Sequence, residues 1–246
     1  MAARRKKRVA QPFHFPWKVV IIGVLVNALA IWIFFGDPWY LLAEDVSLYG
    51  VSTVEIATEV LVASDLVGWH AFRLQPQKAA ERVLAAVPGL VDVDINCTIF
   101  PASCEFYVTQ RAPILAWHTA SGVYWTDQEG RVFPAVSDRP DLPFVTGPLP
   151  AETSQYTATI RATQQGVVSL IALGVPADAF EFNQQRGLIW NDPDGRRIAF
   201  GVGPEMQMRW QVYHELVEHL EAEGIFPYVI DVRFPGGVTY SLERSW

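Results

Sequence analysis

Two histidines with acidic neighbours, His214 and His219, come closest in this sequence to a metal-binding motif. A zinc site on one helical face needs histidines about four residues apart, so that one lies a turn above the other. His214 and His219 are separated by one position more, which places them about 140° apart around a helix. The spacing therefore predicts a solvated helix face, and we expect neither a metal nor a cofactor there.

Other patterns that could support chemistry are also incomplete. Residues 192–195, Asp-Pro-Asp-Gly, have calcium-loop residue types but lack the distant glutamate, and a turn is predicted. Asp92 and Asp94 alternate with apolar residues, so they are placed on the outer face of a strand. The S-x-x-K motif of penicillin-binding enzymes has a serine three residues before its lysine, but Gln75 occupies that position before Lys78. The sequence also contains no G-x-S-x-G or G-x-x-x-x-G-K motif. We expect no catalytic residues and no enzymatic activity.

The chain has two cysteines, Cys97 and Cys104. Each lies in a segment where apolar and polar residues alternate, which predicts two neighbouring strands. An antiparallel register that sets Val93 opposite Val108 also sets the two cysteines opposite each other. In an exported domain they can form a cross-strand disulfide or remain two buried thiols.

Residues 19–35 are uncharged and contain one strongly polar side chain, Asn27. With its flanking residues, a helix of this length covers the ~30 Å hydrocarbon core of a bilayer, so a single transmembrane helix is predicted over residues 19–36. The basic residues in 1–18 place that tail in the cytoplasm by the positive-inside rule. A cleavable signal peptide is the alternative, but Leu41 is too large for the first position of the candidate cleavage site. An uncleaved anchor is therefore favoured.

The charge of the chain divides at this predicted anchor. Six of the 19 Lys and Arg residues precede it and all 26 acids follow it, which leaves a formal charge of −13 on the exported part. Nucleic-acid binding by that part is therefore not expected.

Trp32, Trp39 and Tyr40 are placed in the interfacial aromatic belt where the chain leaves the membrane. The anchor itself is expected to act mainly as a tether that concentrates a binding module at the membrane.

The exported part has an α+β pattern that begins with a small unit, residues 43–112. A strand over 45–49 is followed by two amphipathic helices, the first starting at a predicted Ser52–Glu55 capping box and the second at Pro76. The two cysteine-containing strands complete a β-α-α-β-β unit in which the helices cover one face of the sheet.

Residues 113–246 predict a mixed β-domain with two flanking helices, over 155–173 and 206–224. Residues 133–150 are rich in proline, so no central strand is expected there. Several short strands follow, and the last is predicted over 238–242.

Motifs in both units occur in an order that is typical of one protein family. In residues 43–112 they are Val46-x-Leu48-x-Gly50, Val87-Pro88-Gly89 and Thr109-Gln110-Arg111-Ala112-Pro113. In residues 113–246 they are the hairpin from Trp190 to Gly195, Phe200-Gly201 and Ile230-Asp231-Val232-Arg233. Placed directly after a single span, they resemble the bacterial cell-division family FtsQ/DivIB, in which a POTRA (polypeptide-transport-associated) domain precedes a β-domain.

The resemblance implies a non-enzymatic scaffold of the divisome, located at the septum in the cytoplasmic (inner) membrane. It implies that the POTRA domain takes part in recruitment through other divisome proteins and that the β-domain binds the bitopic proteins FtsB and FtsL. The family's main FtsB contact is the final strand, which maps here to Val238, Thr239, Tyr240, Ser241 and Leu242. If that strand lies at a sheet edge, a partner strand can add to it.

One departure from the family pattern and two alternative functions remain to be considered. Many relatives have a tail beyond the last strand, whereas this sequence ends at Trp246, which is expected to dock in place of such a tail. POTRA domains also occur in export and assembly chaperones, so a chaperone remains an alternative to a division scaffold. A membrane-anchored extracellular enzyme of unrecognised type is the other.

Overall fold

The computed structural model of the 246-residue chain describes residues 17–177 and 180–244. It begins with helix α1 (Trp17–Phe35), which is long and apolar enough to span a membrane. The predicted apolar helix is thus confirmed. The basic cluster that precedes it lies outside the described residues, so its predicted cytoplasmic position stays a prediction.

A three-stranded sheet covered by two helices follows α1. Its elements in chain order are β1 (Val46–Tyr49), α2 (Val54–Ser64), α3 (Pro76–Ala86), β2 (Leu90–Thr98) and β3 (Ser103–Gln110). The spatial order is β1-β3-β2, with β1 parallel and β2 antiparallel to β3. The element order matches the predicted β-α-α-β-β pattern.

The core of this unit lies between the helices and one face of the sheet. Phe106 on β3 is fully buried, as are Val60 on α2 and Val83 on α3. The predicted register is confirmed, since Val93 pairs with Val108 and Ile95 with Phe106. Period-two alternation on β2 and β3 therefore sends one set of side chains to the helices and the other set to solvent.

The same register places Cys97 opposite Cys104, and the structure joins them in a disulfide with sulfurs 2.04 Å apart. Such a bond closes a short loop, for which the chain-entropy estimate is about 2 to 3 kcal/mol of stabilisation. It ties the outer ends of β2 and β3 together just before the tip of their hairpin.

The predicted start of α2 is wrong by one residue. Thr53, not Ser52, is the N-cap, and its Oγ1 accepts a hydrogen bond from the Ile56 N–H at 3.3 Å. The Ser52 hydroxyl instead donates to Gln110 Oε1 at 2.9 Å. Adjacent serine and threonine side chains can both cap, and the contact with the end of β3 takes up Ser52.

A nine-stranded mixed sheet forms the remainder of the described chain. Its strands are β4 (Leu115–Thr119), β5 (Gly122–Thr126), β6 (Val132–Pro134), β7 (Phe144–Thr146), β8 (Phe180–Asn183), β9 (Gly187–Asn191), β10 (Arg197–Gly201), β11 (Val229–Asp231) and β12 (Thr239–Ser241). The spatial order is β12-β11-β10-β9-β8-β7-β4-β5-β6, so β12 and β6 form the two edges.

Two helices, α4 (Tyr156–Ala172) and α5 (Met206–Ala222), pack on this sheet close to their predicted positions. Trp117, Ile198 and Phe200 are fully buried between the strands and these helices. The core lies under β4 and β7 to β11 and holds the central strands in place, so β12 is attached to a rigid platform through β11.

The expectation that residues 133–150 contain no central strand is wrong. β7 lies between β4 and β8 and is parallel to both, with Val145 fully buried. Pro143 and Pro148 flank this short strand without entering it, so its own N–H groups remain available for the ladder.

Candidate partner-binding site

β12 lies at one edge of the nine-stranded sheet. It is antiparallel to β11, with Tyr240 opposite Ile230 and Ser241 opposite Val229, and the Tyr228 N–H donates to the Ser241 carbonyl at 2.9 Å. Within residues 17–177 and 180–244, no strand lies on the other side of β12. Main-chain N–H and C=O groups of alternate residues therefore face outward without a strand partner.

Side chains along the predicted contact differ in their roles. Val238 is partly buried against the core of the sheet, and it fixes where the strand begins. Thr239 is exposed, and Tyr240 and Leu242 are 45% and 58% exposed. Ser241 is half-buried, and its hydroxyl accepts a hydrogen bond from the Glu243 N–H at 3.1 Å. The edge thus combines free main-chain groups with accessible apolar side chains.

Further aromatic residues lie around this edge. Phe226 and Phe234, which flank β11 in the chain, are 63% and 67% exposed. The Arg244 guanidinium lies 4.9 Å from the centre of the Tyr228 ring, a cation–π contact at the end of the described chain. Trp246, the other residue of the predicted partner contact, lies outside the described residues.

Asp231, on the strand β11 next to β12, is the centre of a cluster of ion pairs. Arg233 donates from Nε and Nη2 to the Asp231 carboxylate at 2.9 and 2.7 Å, and Arg186 donates at 3.3 Å. Burial acts to raise the pKa of Asp231, but hydrogen bonds and charge from the two arginines outweigh it and lower that pKa. Because Asp231 pairs with Thr239 in the ladder, this ion cluster fixes the start of β12.

Replacing Asp231 by Asn should remove part of the acid sensitivity of the fold. The pKa of Asp231 is lower in the folded state than in the unfolded state, where it is about 4. The ionised carboxylate therefore stabilises the fold above about pH 4, and this contribution is lost as the pH falls through the folded-state pKa. Urea denaturation across a pH series should therefore show a steeper acid loss of unfolding free energy for the natural chain than for Asp231→Asn.

Asp141 provides the matched control for that experiment. A hydrogen bond from Arg139 also lowers the pKa of Asp141, but the Asp141 side chain is 61% exposed, so solvent screens the pair. Asp141→Asn should leave the pH profile nearly unchanged. Identical profiles for Asp231→Asn and the natural chain would show that ionisation of Asp231 contributes nothing to stability.

A second ionic network holds α5 to the β9–β10 hairpin. Asp192 accepts from the Arg196 N–H at 2.7 Å and from the Tyr213 hydroxyl at 2.8 Å. The Arg196 guanidinium contacts Asp192 at 3.3 Å and also pairs with Asp194 and Glu221. Burial and the hydrogen bond to Asp192 raise the pKa of Tyr213, so its hydroxyl remains a donor.

This network explains the sequence segment that has calcium-loop residue types. Residues 192–195 form a turn, closed by the Gly195 N–H donating to the Asp192 carbonyl at 3.0 Å. The Asp192 carboxylate accepts hydrogen bonds from Arg196 and Tyr213, so the turn is held by an ion pair within the protein. In the part of the chain that the structure describes, no group of three His, Cys, Asp or Glu residues is placed to hold a metal ion.

An open pocket of about 330 Å³ lies beside the residues that follow β11. Three arginines line it, Arg186, Arg209 and Arg233, and the described lining contains no carboxylate. Burial lowers the pKa of Arg209, whose Nη1 donates to the Phe200 carbonyl at 2.5 Å. The arginines are far apart in sequence, so spacing could not reveal the pocket, and Arg186 and Arg233 already donate to the Asp231 carboxylate beside it.

No protein-family model matches this sequence, and a search of curated proteins gives no significant match. The choice of function therefore depends on the geometry of β12 and its surroundings.

Proposed function

We propose that this chain is a non-enzymatic, single-pass membrane scaffold of the FtsQ/DivIB type. In this proposal α1 spans the cytoplasmic membrane with the N-terminus inside, residues 43–112 are a POTRA domain, and residues 113–246 are the partner-binding β-domain. The observation that carries the proposal is the unpaired edge of β12, at the end of a sheet whose other described strands are held by a large core.

The proposed partner is an FtsB-like bitopic protein, with an FtsL-like protein in the same assembly. A strand of the partner adds to β12, so that main-chain groups facing outward gain hydrogen bonds. Tyr240 and Leu242 then contact alternate side chains of the added strand, which supplies specificity that backbone pairing lacks.

The POTRA domain has a separate proposed task, which is to contact other divisome proteins during recruitment to the septum. It carries the exposed residues Val54 and Val62 on α2, next to Glu55 and Glu59. The proposed localisation follows from the anchor, the exported acidic domains and these partners together.

Depletion of the chain in its own organism tests the proposal against the two alternatives. A division scaffold predicts filamentous cells in which an FtsB-like protein no longer reaches the septum. Loss of outer-membrane proteins with normal septation would instead favour an export or assembly chaperone. Normal cell shape with a metabolic defect would favour an anchored enzyme, and either result would overturn the scaffold.

A further inference from the structure

A group of aromatic and apolar residues, all exposed except the half-buried Trp39, lies where α1 meets the first sheet. We define this membrane-proximal cluster by the following residues: Trp32, Trp39, Trp69, Phe72, Ile99 and Phe100. Its members come from three separate places in the chain, namely the end of α1 with its following turn, the loop between α2 and α3, and the β2–β3 hairpin tip. Only folding brings them together, so no single segment of the sequence reveals the cluster.

Ring contacts join four members of the cluster: Trp32, Trp39, Phe72 and Phe100. The Phe100 ring centre lies 5.8 Å from Trp32 and 4.9 Å from Trp39. Phe72 also stacks on Trp39, at 5.6 Å. Aromatic pairs at these distances are attractive beyond the area that they bury. The hairpin tip is thereby held against the last turn of α1.

Two hydrogen bonds fix this arrangement to the end of the helix, and a third orders the loop that supplies one of them. His70 Nε2 donates to the Ile33 carbonyl at 2.9 Å, while its Nδ1 accepts from the Phe72 N–H. The Tyr40 hydroxyl donates to the Phe34 carbonyl at 2.9 Å. The last carbonyls of a helix lack partners within the helix, and a lipid environment offers them no water. Side chains that follow α1 in the chain therefore satisfy two of its last carbonyls.

These bonds also set the depth of the cluster. Ile33 lies within the last turn of α1, so the loop that bonds to its carbonyl lies at the level where the proposed span ends. Phe72 and Phe100 are nevertheless 61% and 54% exposed, and Ile99 is 53% exposed. Apolar side chains exposed at that depth point into the interfacial zone, where aromatic rings are favoured.

We propose that the membrane-proximal cluster is a second membrane-binding surface, through which the first exported unit rests on the outer leaflet of the bilayer. The occupant is the lipid interface, because the cluster is continuous with the end of α1. The Arg73 guanidinium, which lies over the Trp69 ring at 5.0 Å, is available to the headgroups. The anchor then does more than tether, since it holds the exported domain in one orientation on the membrane.

This inference rests on the proposed membrane span of α1, and the test separates the two. The full-length chain is reconstituted in phosphatidylcholine–phosphatidylglycerol nanodiscs with p-acetylphenylalanine at one position, labelled with a nitroxide. Position 100 reports on the cluster, position 22 on the span, and position 234 on an exposed phenylalanine of the other sheet. Power-saturation EPR then compares relaxation by oxygen, which concentrates in lipid, with relaxation by an aqueous nickel chelate.

We expect the oxygen-to-nickel ratio at position 100 to be severalfold higher than at position 234 and below that at position 22. A ratio at 100 equal to that at 234 would overturn the second membrane surface while leaving the span intact. Low accessibility to both reagents at 100 would indicate a protein contact and also overturn it. A low ratio at position 22 would overturn the span itself. The same measurement with the label at position 99 checks that the result at position 100 is not caused by a local structural change at the labelled residue.

Discussion

Replacing Tyr240 by Pro or by Asp should abolish co-purification of an FtsB-like partner from solubilised membranes while the chain stays folded. Proline removes a main-chain N–H and disfavours the strand geometry that an added strand requires. Aspartate places a charge at the centre of an edge that would otherwise be covered by the partner. Tyr240 is 45% exposed in the free chain, so neither change disturbs a buried core.

The expected size of the effect follows from the main-chain bonds of strand addition. Proline removes one such bond, which contributes about 0.5 to 1.5 kcal/mol net, and its altered strand geometry weakens the neighbouring bond by a similar amount. The two losses together correspond to roughly a 30-fold weaker complex. That loss is enough to remove a partner of micromolar affinity during washing. Co-purification is measured from equal amounts of membrane-inserted chain, and the folded state is checked by the urea midpoint.

Tyr49 offers a matched control for this experiment. It lies on β1, an edge strand of the three-stranded sheet, and is 47% exposed. Tyr49→Asp should retain the FtsB-like partner, because it alters a different edge. Retention of the partner by both Tyr240 variants would exclude β12 as the docking strand, whereas loss in the Tyr49 variant as well would show that the assay responds to general surface charge.

Periodic patterns in the sequence were sufficient to predict most of the elements. Unbroken apolar character located α1, and strict alternation predicted the β2–β3 register down to the pairing of Cys97 with Cys104. Such patterns succeed because each strand has one face on a helix-covered core and one in solvent. The prediction that residues 238–242 provide a final strand is confirmed over Thr239–Ser241, and the structure adds that it lies at an edge.

Short strands in the sheet interior were harder to predict. β7 is three residues long between prolines, and its place at the centre depends on β4 and β8, which are distant in sequence. β8 was missed, although its Phe-Glu-Phe-Asn sequence alternates and Phe180 and Phe182 are buried. Tertiary pairing, not local pattern, decides whether segments of this length become strands.

The ionic and aromatic clusters could not be predicted for a related reason. Arg186 reaches Asp231 and His70 reaches Ile33 across large sequence separations, and spacing rules describe neighbours within one element. Even the Ser52 capping box failed because Gln110, from another strand, competes for the side chain. The hydrogen-bond partner of a polar side chain at the end of a helix or strand depends on which groups the tertiary fold places next to it.

Replacing Asp192 by Ala should lower the unfolding free energy by about 3 kcal/mol or more, the largest stability change that we expect from one polar side chain here. The Asp192 side chain is only 2% exposed. Its removal leaves the Tyr213 hydroxyl and the Arg196 main-chain N–H without their acceptor, and each buried unsatisfied donor costs about 1 to 3 kcal/mol. Urea unfolding in detergent micelles, followed by tryptophan fluorescence, measures the loss directly.

Asp194 is the natural control, since it pairs with the same Arg196 guanidinium but its side chain is 70% exposed. Asp194→Ala should cost less than about 1 kcal/mol, as exposed ion pairs generally do. Tyr213→Phe combined with Asp192→Ala should be less destabilising than the sum of the two changes, because they remove one shared hydrogen bond. Equal effects of Asp192→Ala and Asp194→Ala would show that burial of the network is unimportant.

The Asp192 and Tyr240 variants together separate folding from binding. Asp192 joins α5 to the β9–β10 hairpin, and β10 supports β11, which in turn pairs with β12. Asp192→Ala should therefore weaken partner binding only as far as it unfolds the sheet, and low temperature or added osmolyte should restore binding. Tyr240→Asp should lose the partner under all of these conditions at an unchanged urea midpoint. That contrast assigns binding to the outward edge of β12 and stability to the network behind it.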